Sequence, residues 1–343
     1  MTGIGIIGCG KISQVRHIPE YLANPDARIV GLFDNNMERA AELAQKIGAK
    51  AYDTLDALLA DPEIDAVSVC VANVAHCEVT VKALRAGKHV LCEKPMAITI
   101  EECELMVKTA DECGRKLMIG QNQRLAQAHA MAKMLIGAGA IGKVLTFRTY
   151  FGHSGPETWS VDPGRNTWFF DKKQAAMGVM ADLGIHKTDL IQYLIGQEVT
   201  AVTARLSTLD KVDAEGNPIS VDDNAICIYE MSGGAMGTMV ASWTYYGVED
   251  NSTTIFGTEG DMTIYGVDLP QIVIWKKNGA KETFDLGRIQ TNDDQTKSGV
   301  IDAFIDCIEN DKEPLIDAKG VLAAMRAVFA AIKSSEEGRR VVI

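Results

Sequence analysis

Short apolar runs rich in β-branched residues alternate with amphipathic stretches of helical period over about the first 120 residues. This alternation predicts βαβ units, a doubly wound parallel sheet and right-handed crossovers. The expected strands are Ile4–Ile7, Arg28–Phe33, Ala66–Val71, His89–Cys92 and Lys116–Ile119, and the helical stretches between them include Asn36–Ile47, Ala75–Ala86 and Ile100–Glu112. We assign residues 1–124 to this first domain.

The pattern changes after about residue 125. Helices are expected at Ala126–Ile136, around Met177–Ile195, and at the end of the chain at Gly299–Glu309 and Ala318–Ser334. Strands are expected at Lys143–Phe151, Thr200–Leu209, Asn224–Met231, Met236–Tyr246, Ser252–Phe256, Asp261–Tyr265, Ile272–Trp275 and Glu282–Leu286. Residues 125–343 should therefore form an α+β domain around a mixed, mainly antiparallel open sheet, with closing helices that could return to the first domain.

The predicted strand Met236–Tyr246 carries no charge on either face. One face presents Met236, Thr238, Val240, Ser242 and Thr244, and the other presents Gly237, Met239, Ala241, Trp243 and Tyr245. One face can cover helices of its own domain, so the other needs a partner. We expect a homodimer or a homotetramer built by packing sheet against sheet.

Length, charge and cysteine content narrow the possible functions. The 343 residues suffice for two domains, and a net charge of −12 makes nucleic acid an unexpected partner. We find no signal-peptide pattern and no apolar run long enough for a bilayer. The eight cysteines show neither CxxC pairs nor zinc spacing. We expect a cytoplasmic protein with reduced thiols, no metal site and no membrane partner.

A glycine-rich turn over residues 8–13 (Gly-Cys-Gly-Lys-Ile-Ser) follows the first predicted strand and opens a helix. Glycine permits the tight turn and the close approach to pyrophosphate that a Rossmann dinucleotide site needs. An ordinary strand-to-helix turn is the alternative for so short a motif. The context favours the cofactor, because Asp34 ends the next strand near the spacing expected for a carboxylate on the adenosine ribose.

Asp34 also bears on which dinucleotide binds. A carboxylate accepts hydrogen bonds from free ribose hydroxyls and repels a 2′-phosphate. Asn35 and Asn36 follow, and no arginine occurs before Arg39. The sequence therefore predicts NAD rather than NADP.

Three residues are acid–base candidates. Lys94 follows the strand His89–Cys92, although a lysine before proline is, taken alone, better interpreted as a solvated loop residue. Asp182 and His186 lie four residues apart in a predicted helix and so share a face, where the imidazole could take a hydroxyl proton. A structural His–Asp contact or part of a metal site would give the same pattern. We interpret Asp189, on the same stripe, as a helix-surface or structural group.

These motifs together resemble the Gfo/Idh/MocA oxidoreductases over nearly the whole chain. The resemblance is carried by residues 8–10, 72–76, 86–95, 120–124 and 182–189, and the combination of Glu-Lys-Pro with Asp-x-Gly-x-His is its most specific part. It implies that Lys94, Asp182 and His186 are catalytic and that the open sheet forms an oligomer interface. The expected cofactor-binding residues are Gly8, Gly10, Lys11, Ile12, Asp34, Asn35, Ala72, Asn73, His76, Glu93, Lys94 and Gln121. Ser13 and Ala72 depart from the common pattern without removing a functional group.

Substrate choice is expected to depend on the aromatic loop after the strand Lys143–Phe151. Indole faces stack on pyranose C–H surfaces, and His, Arg and Asn bind hydroxyls. An ordinary aromatic loop that packs on the sheet has nearly equal weight. The expected substrate-binding residues are Arg124, His153, Trp159, Arg165 and Trp168, and we expect the histidine and both tryptophans to lie near Lys94, His186 and the nicotinamide.

Three functions are compatible with these motifs. The favoured one is an NAD-dependent dehydrogenase that acts on a ring hydroxyl of a sugar, glycoside or cyclitol. The second is an NAD-dependent glycoside-cleaving enzyme that oxidises C3 transiently and then eliminates, releasing aglycone without net NADH. The third is a non-catalytic NAD-binding sensor, against which the presence of Lys94, Asp182 and His186 argues.

Overall fold

The structure, a computed structural model, describes residues 1–289 and 297–343. It divides into two compact units. The first contains Met1–Asn122, the short segment Trp159–Val161 and a later stretch that ends at Leu322. The second contains Gln123–Thr158, Asp162–Ile289 and Ala323–Ile343. Within the described ranges, no helix is both long and apolar enough to cross a membrane.

A six-stranded parallel sheet forms the first unit. Its strands are β1 (Thr2–Ile7), β2 (Ala27–Phe33), β3 (Lys50–Ala51), β4 (Ala66–Val69), β5 (His89–Cys92) and β6 (Leu117–Ile119), and its crossover helices are α1 (Ile18–Ala23), α2 (Met37–Ile47), α3 (Leu55–Ala60), α4 (His76–Arg85) and α5 (Ile100–Cys113). The strand order β3-β2-β1-β4-β5-β6 reverses direction between β1 and β4, which is where doubly wound sheets bind ligands. The predicted Rossmann class is confirmed.

Local capping signals explain why the helix bounds of this unit were predictable. The Asn36 side chain accepts a hydrogen bond from the Arg39 amide at 3.0 Å and caps α2, which ends at Gly48 in the left-handed conformation (φ 71°). The predicted extension of β4 to Val71 is wrong, because the Val71 carbonyl faces His76 Nε2 at 3.1 Å instead of continuing the ladder. β3 was missed since it is short and exposed.

A nine-stranded sheet forms the second unit. Its strands are β7 (Val144–Gly152), β8 (Val199–Ser207), β9 (Asn224–Met231), β10 (Met236–Ser242), β11 (Thr253–Gly257), β12 (Gly260–Ile264), β13 (Ile272–Lys276), β14 (Lys281–Phe284) and β15 (Val341–Val342), and its helices include α6 (Gln127–Gly137), α7 (Lys172–Ala175) and α8 (Ile185–Ile195). The order is β14-β13-β12-β11-β7-β10-β9-β8-β15. Only β7 and β10 pair in parallel among these neighbours, so the predicted mixed, mainly antiparallel sheet is confirmed.

Two further helices complete the chain, α9 (Val300–Glu309) and α10 (Ala318–Glu337). α9 packs against α1 and β1 of the first unit. Asn24 Nδ2 donates to Asp302 Oδ1 at 2.7 Å, and Thr2 Oγ1 donates to Glu309 Oε1 at 2.6 Å. α9 therefore returns to the first sheet, whereas residues Ala323–Ile343 belong to the second unit.

One face of the second sheet is covered and the other is open. On β9, Cys227 and Tyr229 are fully buried, whereas Ile226 and Ile228 are 56% and 45% exposed. Met236 of β10 is 50% exposed on the same face. This alternation leaves a row of apolar side chains that helices of the unit do not cover.

The predicted strand Met236–Tyr246 is too long. β10 ends at Ser242, because the Ser242 Oγ accepts a hydrogen bond from the Thr244 amide at 3.0 Å and turns the chain. The Trp243 amide donates instead to the Asp223 carbonyl at 2.9 Å.

The predicted helix around Met177–Ile195 is also only partly correct. Residues Met180–Gly184 form a wider, π-helical turn, and the α-helical part begins at Ile185. The Asp222 carboxylate accepts hydrogen bonds from the Gly178 and Met180 amides at 2.9 and 2.8 Å. A side chain from a distant segment therefore binds the amides where an uninterrupted helix was expected.

Candidate functional site

Most predicted cofactor residues lie at the carboxyl ends of the first unit's strands. Gly8 and Gly10 follow β1, Asp34 follows β2, Glu93 follows β5 and Gln121 follows β6. Parallel strands end at a common edge, so the fold gathers these residues on one side of the sheet.

The glycine turn leaves room for a ligand above it. Gly8 has φ 95°, and a Cβ there would lie 2.4 Å from the Cys70 carbonyl oxygen, so only glycine fits. A Cβ on Gly10 would meet nothing within 4 Å. Lys11 and Ile12 are half-buried just before the π-helical turn Ser13–His17, which leads into α1. The buried Ser13 donates from Oγ to the Gly10 carbonyl at 2.8 Å, which accommodates the departure from the family pattern.

Asp34 is fixed beside this turn. Its Oδ2 accepts a hydrogen bond from the Cys9 amide at 2.6 Å, and its Oδ1 accepts one from the Asn36 amide at 2.7 Å. The half-buried carboxylate keeps further acceptor positions, and Asn35 beside it is exposed.

Glu93 is the centre of a buried network that sequence reasoning missed. Its Oε1 lies 2.8 Å from His17 Nε2 and 3.3 Å from Arg16 Nη1. His17 Nδ1 lies 3.0 Å from Ser68 Oγ. Burial alone would raise the pKa of Glu93, but the hydrogen bond from His17 and the charge of Arg16 hold it well below its usual range. Ser68, a serine within the apolar run of β4, was the feature of the sequence that could have indicated this network. The half-buried Lys94 follows directly, joined to Pro95 by a cis peptide bond.

His76 connects the loops after β4 and β5. Its Nδ1 lies 2.6 Å from the Pro95 carbonyl and its Nε2 lies 3.1 Å from the Val71 carbonyl. Burial lowers the pKa of this imidazole below its usual value, against the opposing effect of those two carbonyls. Ala72 and Asn73 lie between Val71 and His76 in the chain. Ala72 is half-buried and Asn73 is buried.

Gln121 is the clearest candidate in the first unit for a hydrogen bond to a bound ligand. Its side chain is 1% exposed, and its Oε1 and Nε2 have no hydrogen-bond partner in the described part of the chain. An unsatisfied buried amide costs free energy unless a ligand or water completes it. With the open space at Gly10 and the fixed carboxylate of Asp34, this arrangement fits a dinucleotide.

Asp182 and His186 lie together in the second unit, 5% and 6% exposed. The indole of Trp243 donates from Nε1 to Asp182 Oδ2 at 3.0 Å. The Phe151 ring lies 6.1 Å from the His186 ring between centroids. Sequence reasoning placed Trp243 on a strand face and missed its contact with the carboxylate, because the two residues come from segments far apart in the chain.

His153 is next to this cluster. Its ring lies 5.9 Å from the Phe151 ring, edge to face, so Phe151 contacts both histidines. His153 Nδ1 accepts a hydrogen bond from the Gly155 amide at 2.9 Å. In the neutral ring the proton is then on Nε2.

The other predicted substrate residues are placed differently. Trp168 is half-buried and stacks on Phe169 at 3.9 Å, Arg165 is exposed, and Trp159 is half-buried in a segment of the first unit. Arg124 donates from Nε and Nη2 to Asp189 at 2.7 and 2.5 Å. Asp189 is almost fully buried, so its interpretation as a helix-surface group is wrong and the structural one holds.

Lys187 is a fully buried cation beside the same cluster. Its Nζ donates to the Asn251 carbonyl at 2.8 Å and lies 5.8 Å from the centre of the Phe151 ring. Burial lowers the pKa of Lys187 to about 7, against the attraction of Asp250 and Glu249. As for metals, residues 1–289 and 297–343 contain no cluster of three or more His, Cys, Asp or Glu placed to hold one.

Comparison with known protein families covers both units. Residues 2–121 match the family described as "Oxidoreductase family, NAD-binding Rossmann fold". Residues 129–263 match the "GFO/IDH/MocA C-terminal domain". The first unit is therefore an NAD-binding Rossmann fold.

Relatives of known activity and solved structures resemble the chain over most of its length. The levoglucosan dehydrogenase of Pseudarthrobacter phenanthrenivorans is 33% identical over 290 residues, 76% of this chain and 72% of that protein. The myo-inositol 2-dehydrogenase of Thermotoga maritima is 27% identical over 339 residues, 98% of this chain and 97% of that protein. A levoglucosan dehydrogenase in complex with NADH and L-sorbose superposes with a TM-score of 0.88 at 25% identity, covering 100% of this chain and 99% of that one. The aldose-aldose oxidoreductase from Caulobacter crescentus, complexed with glycerol, gives 0.85 at 27% identity with coverage of 100% and 99%.

Lys187→Met should change how stability depends on pH. The folded-state pKa of Lys187 is about 7, below its ordinary value of 10.5, so the unfolded chain binds more protons between these values. Stability of the wild type should therefore rise relative to Lys187→Met as pH increases through this window, by at most about 1.4 kcal/mol per pH unit. Urea denaturation of both proteins at about pH 7 and about pH 9.5 measures the difference. The exposed Lys108→Met serves as control, and a difference for Lys187→Met that is constant with pH would contradict the assignment.

Proposed function

The chain belongs to the Gfo/Idh/MocA oxidoreductase family, and on that premise we propose that it transfers a hydride between NAD and a ring hydroxyl carbon of a sugar, glycoside or cyclitol. The observation that carries the proposal is the pairing of a buried acid–base cluster, Asp182 with His186, with an NAD-binding unit in the same chain. Levoglucosan and myo-inositol dehydrogenases among the relatives support this substrate class.

Three residues of the chain, His186, Asp182 and Lys94, are assigned to the proposed hydride-transfer reaction. Bound NAD supplies the hydride acceptor. The imidazole of His186 takes the hydroxyl proton, and Asp182, held by the Trp243 indole, orients the reacting group. The ammonium of Lys94 stabilises charge that develops on the substrate oxygen.

Cofactor binding is assigned to the strand ends of the first unit. The amides of the glycine turn, with Lys11 and Ile12, would hold the pyrophosphate, and Asp34 with Asn35 would hold the adenosine ribose. Gln121, Asn73 and Ala72 line the remaining part. We give His76 and Glu93 positioning roles, since His76 faces backbone carbonyls and Glu93 binds Arg16 and His17.

Substrate binding and self-association are assigned to residues 125–343, and the cytoplasmic location stays a prediction. Three buried or half-buried cations of the second unit support an uncharged ring over a phosphorylated one, because protein oxygens already bind them. Arg124 pairs with Asp189, Lys187 binds the Asn251 carbonyl, and Lys211 binds Glu157 and the Ser154 carbonyl. His153, whose ring lies beside the same Phe151 ring as that of His186, is the strongest hydroxyl-binding candidate. Trp159, Arg165 and Trp168 remain predicted substrate contacts.

The glycoside-cleaving alternative is not favoured, because the two relatives from Pseudarthrobacter phenanthrenivorans and Thermotoga maritima are named as dehydrogenases. One experiment tests the proposal against it. Purified protein is incubated with NAD and a panel of hexoses, inositols, glucosides and anhydrosugars while NADH absorbance is followed. Stoichiometric NADH with the ring intact is expected, and release of aglycone without NADH would support the alternative.

NAD should bind at least tenfold tighter than NADP, a difference of about 1.4 kcal/mol, because the Asp34 carboxylate repels a 2′-phosphate. Asp34→Asn removes the charge and keeps one acceptor oxygen, which can serve the Cys9 amide while the Asn36 amide loses its carboxylate partner, so it should narrow this ratio. Calorimetric titration of both dinucleotides provides the measurement. Equal affinities of the wild type for NAD and NADP would refute the assignment.

Lys94→Ala and His186→Ala should each lower kcat by roughly 10²-fold or more, the usual contribution of a positioned acid or base. The affinity for NAD should stay within a factor of about two, since neither change touches the glycine turn or Asp34. Steady-state kinetics and NAD titration separate the two effects. The exposed Lys108→Ala is the matched control, and wild-type turnover in either variant would remove that residue from the catalytic group.

The open face of the second sheet should form a homodimer or a homotetramer, because Ile226, Ile228 and Met236 expose apolar side chains on it. Ile228→Glu should dissociate the assembly by burying a charge at the contact. Light scattering at micromolar concentration measures the mass of both proteins. Leu315→Glu, an exposed leucine of the first unit, controls for added charge. A monomeric wild type would contradict the proposal.

A further inference from the structure

Two adjacent carboxylates precede β9 and bind amides of two different segments. Asp222 accepts hydrogen bonds from the Gly178 and Met180 amides at 2.9 and 2.8 Å, through its two carboxylate oxygens. The Asp222 carbonyl also accepts from the Val179 amide at 2.8 Å. These three bonds fix the start of the π-helical turn Met180–Gly184, which carries Asp182.

Asp223 binds a separate loop. Its carboxylate accepts hydrogen bonds from the Leu209, Asp210 and Lys211 amides, all at 2.8 Å. Asp223 is fully buried, so these amides replace its water. The carboxylate therefore determines where the backbone of Lys211 lies.

Lys211 extends this anchor to the segment that contains His153. Its Nζ donates to the Ser154 carbonyl at 2.7 Å and forms an ion pair with Glu157. Lys211 is itself buried, so neither contact is exchanged freely with water. Asp223 thus holds Lys211, and Lys211 holds the residues on either side of Gly155.

The close fit around Asp222 leaves little freedom in the turn it holds. A Cβ on Gly178 would lie 1.9 Å from the Asp222 carbonyl oxygen, so the two backbones approach as closely as glycine permits. The Asp223 carbonyl accepts from the Trp243 amide at 2.9 Å, and the Trp243 indole donates to Asp182. Asp182 is therefore held from both its backbone and its carboxylate.

We propose that Asp222 and Asp223 are positioning residues for the reaction, Asp222 for the turn that bears Asp182 and Asp223 for the segment that bears His153. The proposal rests on the function proposed above. Asp222 would thereby determine the geometry of proton transfer, and Asp223 would determine the geometry of substrate binding.

Hydrogen exchange tests the two anchors without reference to activity. Asp222→Asn should speed amide exchange within residues 178–184 by about tenfold, since the amide side chain cannot accept both hydrogen bonds. Asp223→Asn should instead speed amide exchange within residues 209–211 and 153–158. Asp213→Asn is the matched control, because Asp213 likewise accepts two backbone hydrogen bonds, from Glu215 and Asn217, in a turn of the same unit. Ala variants replace the Asn variants if the effect is small.

Steady-state kinetics with NAD and the best substrate of the panel then separates positioning from general loss of stability. Asp222→Asn should lower kcat by about tenfold with KM nearly constant, and Asp223→Asn should raise KM by about tenfold with a smaller change in kcat. Asp213→Asn should change neither. Identical kinetic effects in the two variants that track their melting temperatures, or exchange that accelerates in the same segment in both, would overturn the proposal. A wild type inactive on every compound would instead remove the proposed function, while the exchange result would still decide the anchors.

Discussion

A carboxylate removed from water must receive hydrogen bonds or positive charge from the protein, and this requirement determines how the candidate site is built. Glu93, Asp182, Asp189 and Asp223 are all buried. Their partners come from other segments: Arg16 and His17, the Trp243 indole, Arg124, and the amides of residues 209–211. Each pairing joins two parts of the chain that are distant in sequence. The hydrogen bonds and ion pairs of these buried carboxylates therefore fix the segments that carry the candidate site residues.

Sequence patterns predicted the first unit well because its signals are local. Strand periodicity, the Asn36 cap and Gly48 lie within a few residues of the elements they define. The same holds for the cofactor residues, since the carboxyl end of a parallel strand is known once the strand is. Asp34 could therefore be expected at this edge from its place in the sequence alone, and its hydrogen bond with the Cys9 amide places it beside the glycine turn.

The second unit was less predictable because its decisive contacts are not local. The π-helical turn at Met180–Gly184 depends on Asp222, about forty residues later, and β10 ends at Ser242 partly because Trp243 binds Asp223. No periodicity of either segment contains this information. Asp182 and His186 were found because their spacing is a motif, whereas Trp243 and Arg16 were missed because each resembles an ordinary core or helix residue until its partner is known.

Adjacent residues of an extended chain point in opposite directions, and this property explains how one dipeptide can serve two segments. Asp222 and Asp223 directly precede β9, and the backbone of Asp223 is hydrogen-bonded to Ser207 and Trp243 of the neighbouring segments. The first side chain reaches the turn of Asp182, and the second reaches the loop of Lys211. Because the two share a peptide bond, a shift of either segment would strain the anchor of the other. The turn that bears Asp182 and the loop beside His153 are therefore both anchored by the dipeptide that leads into β9.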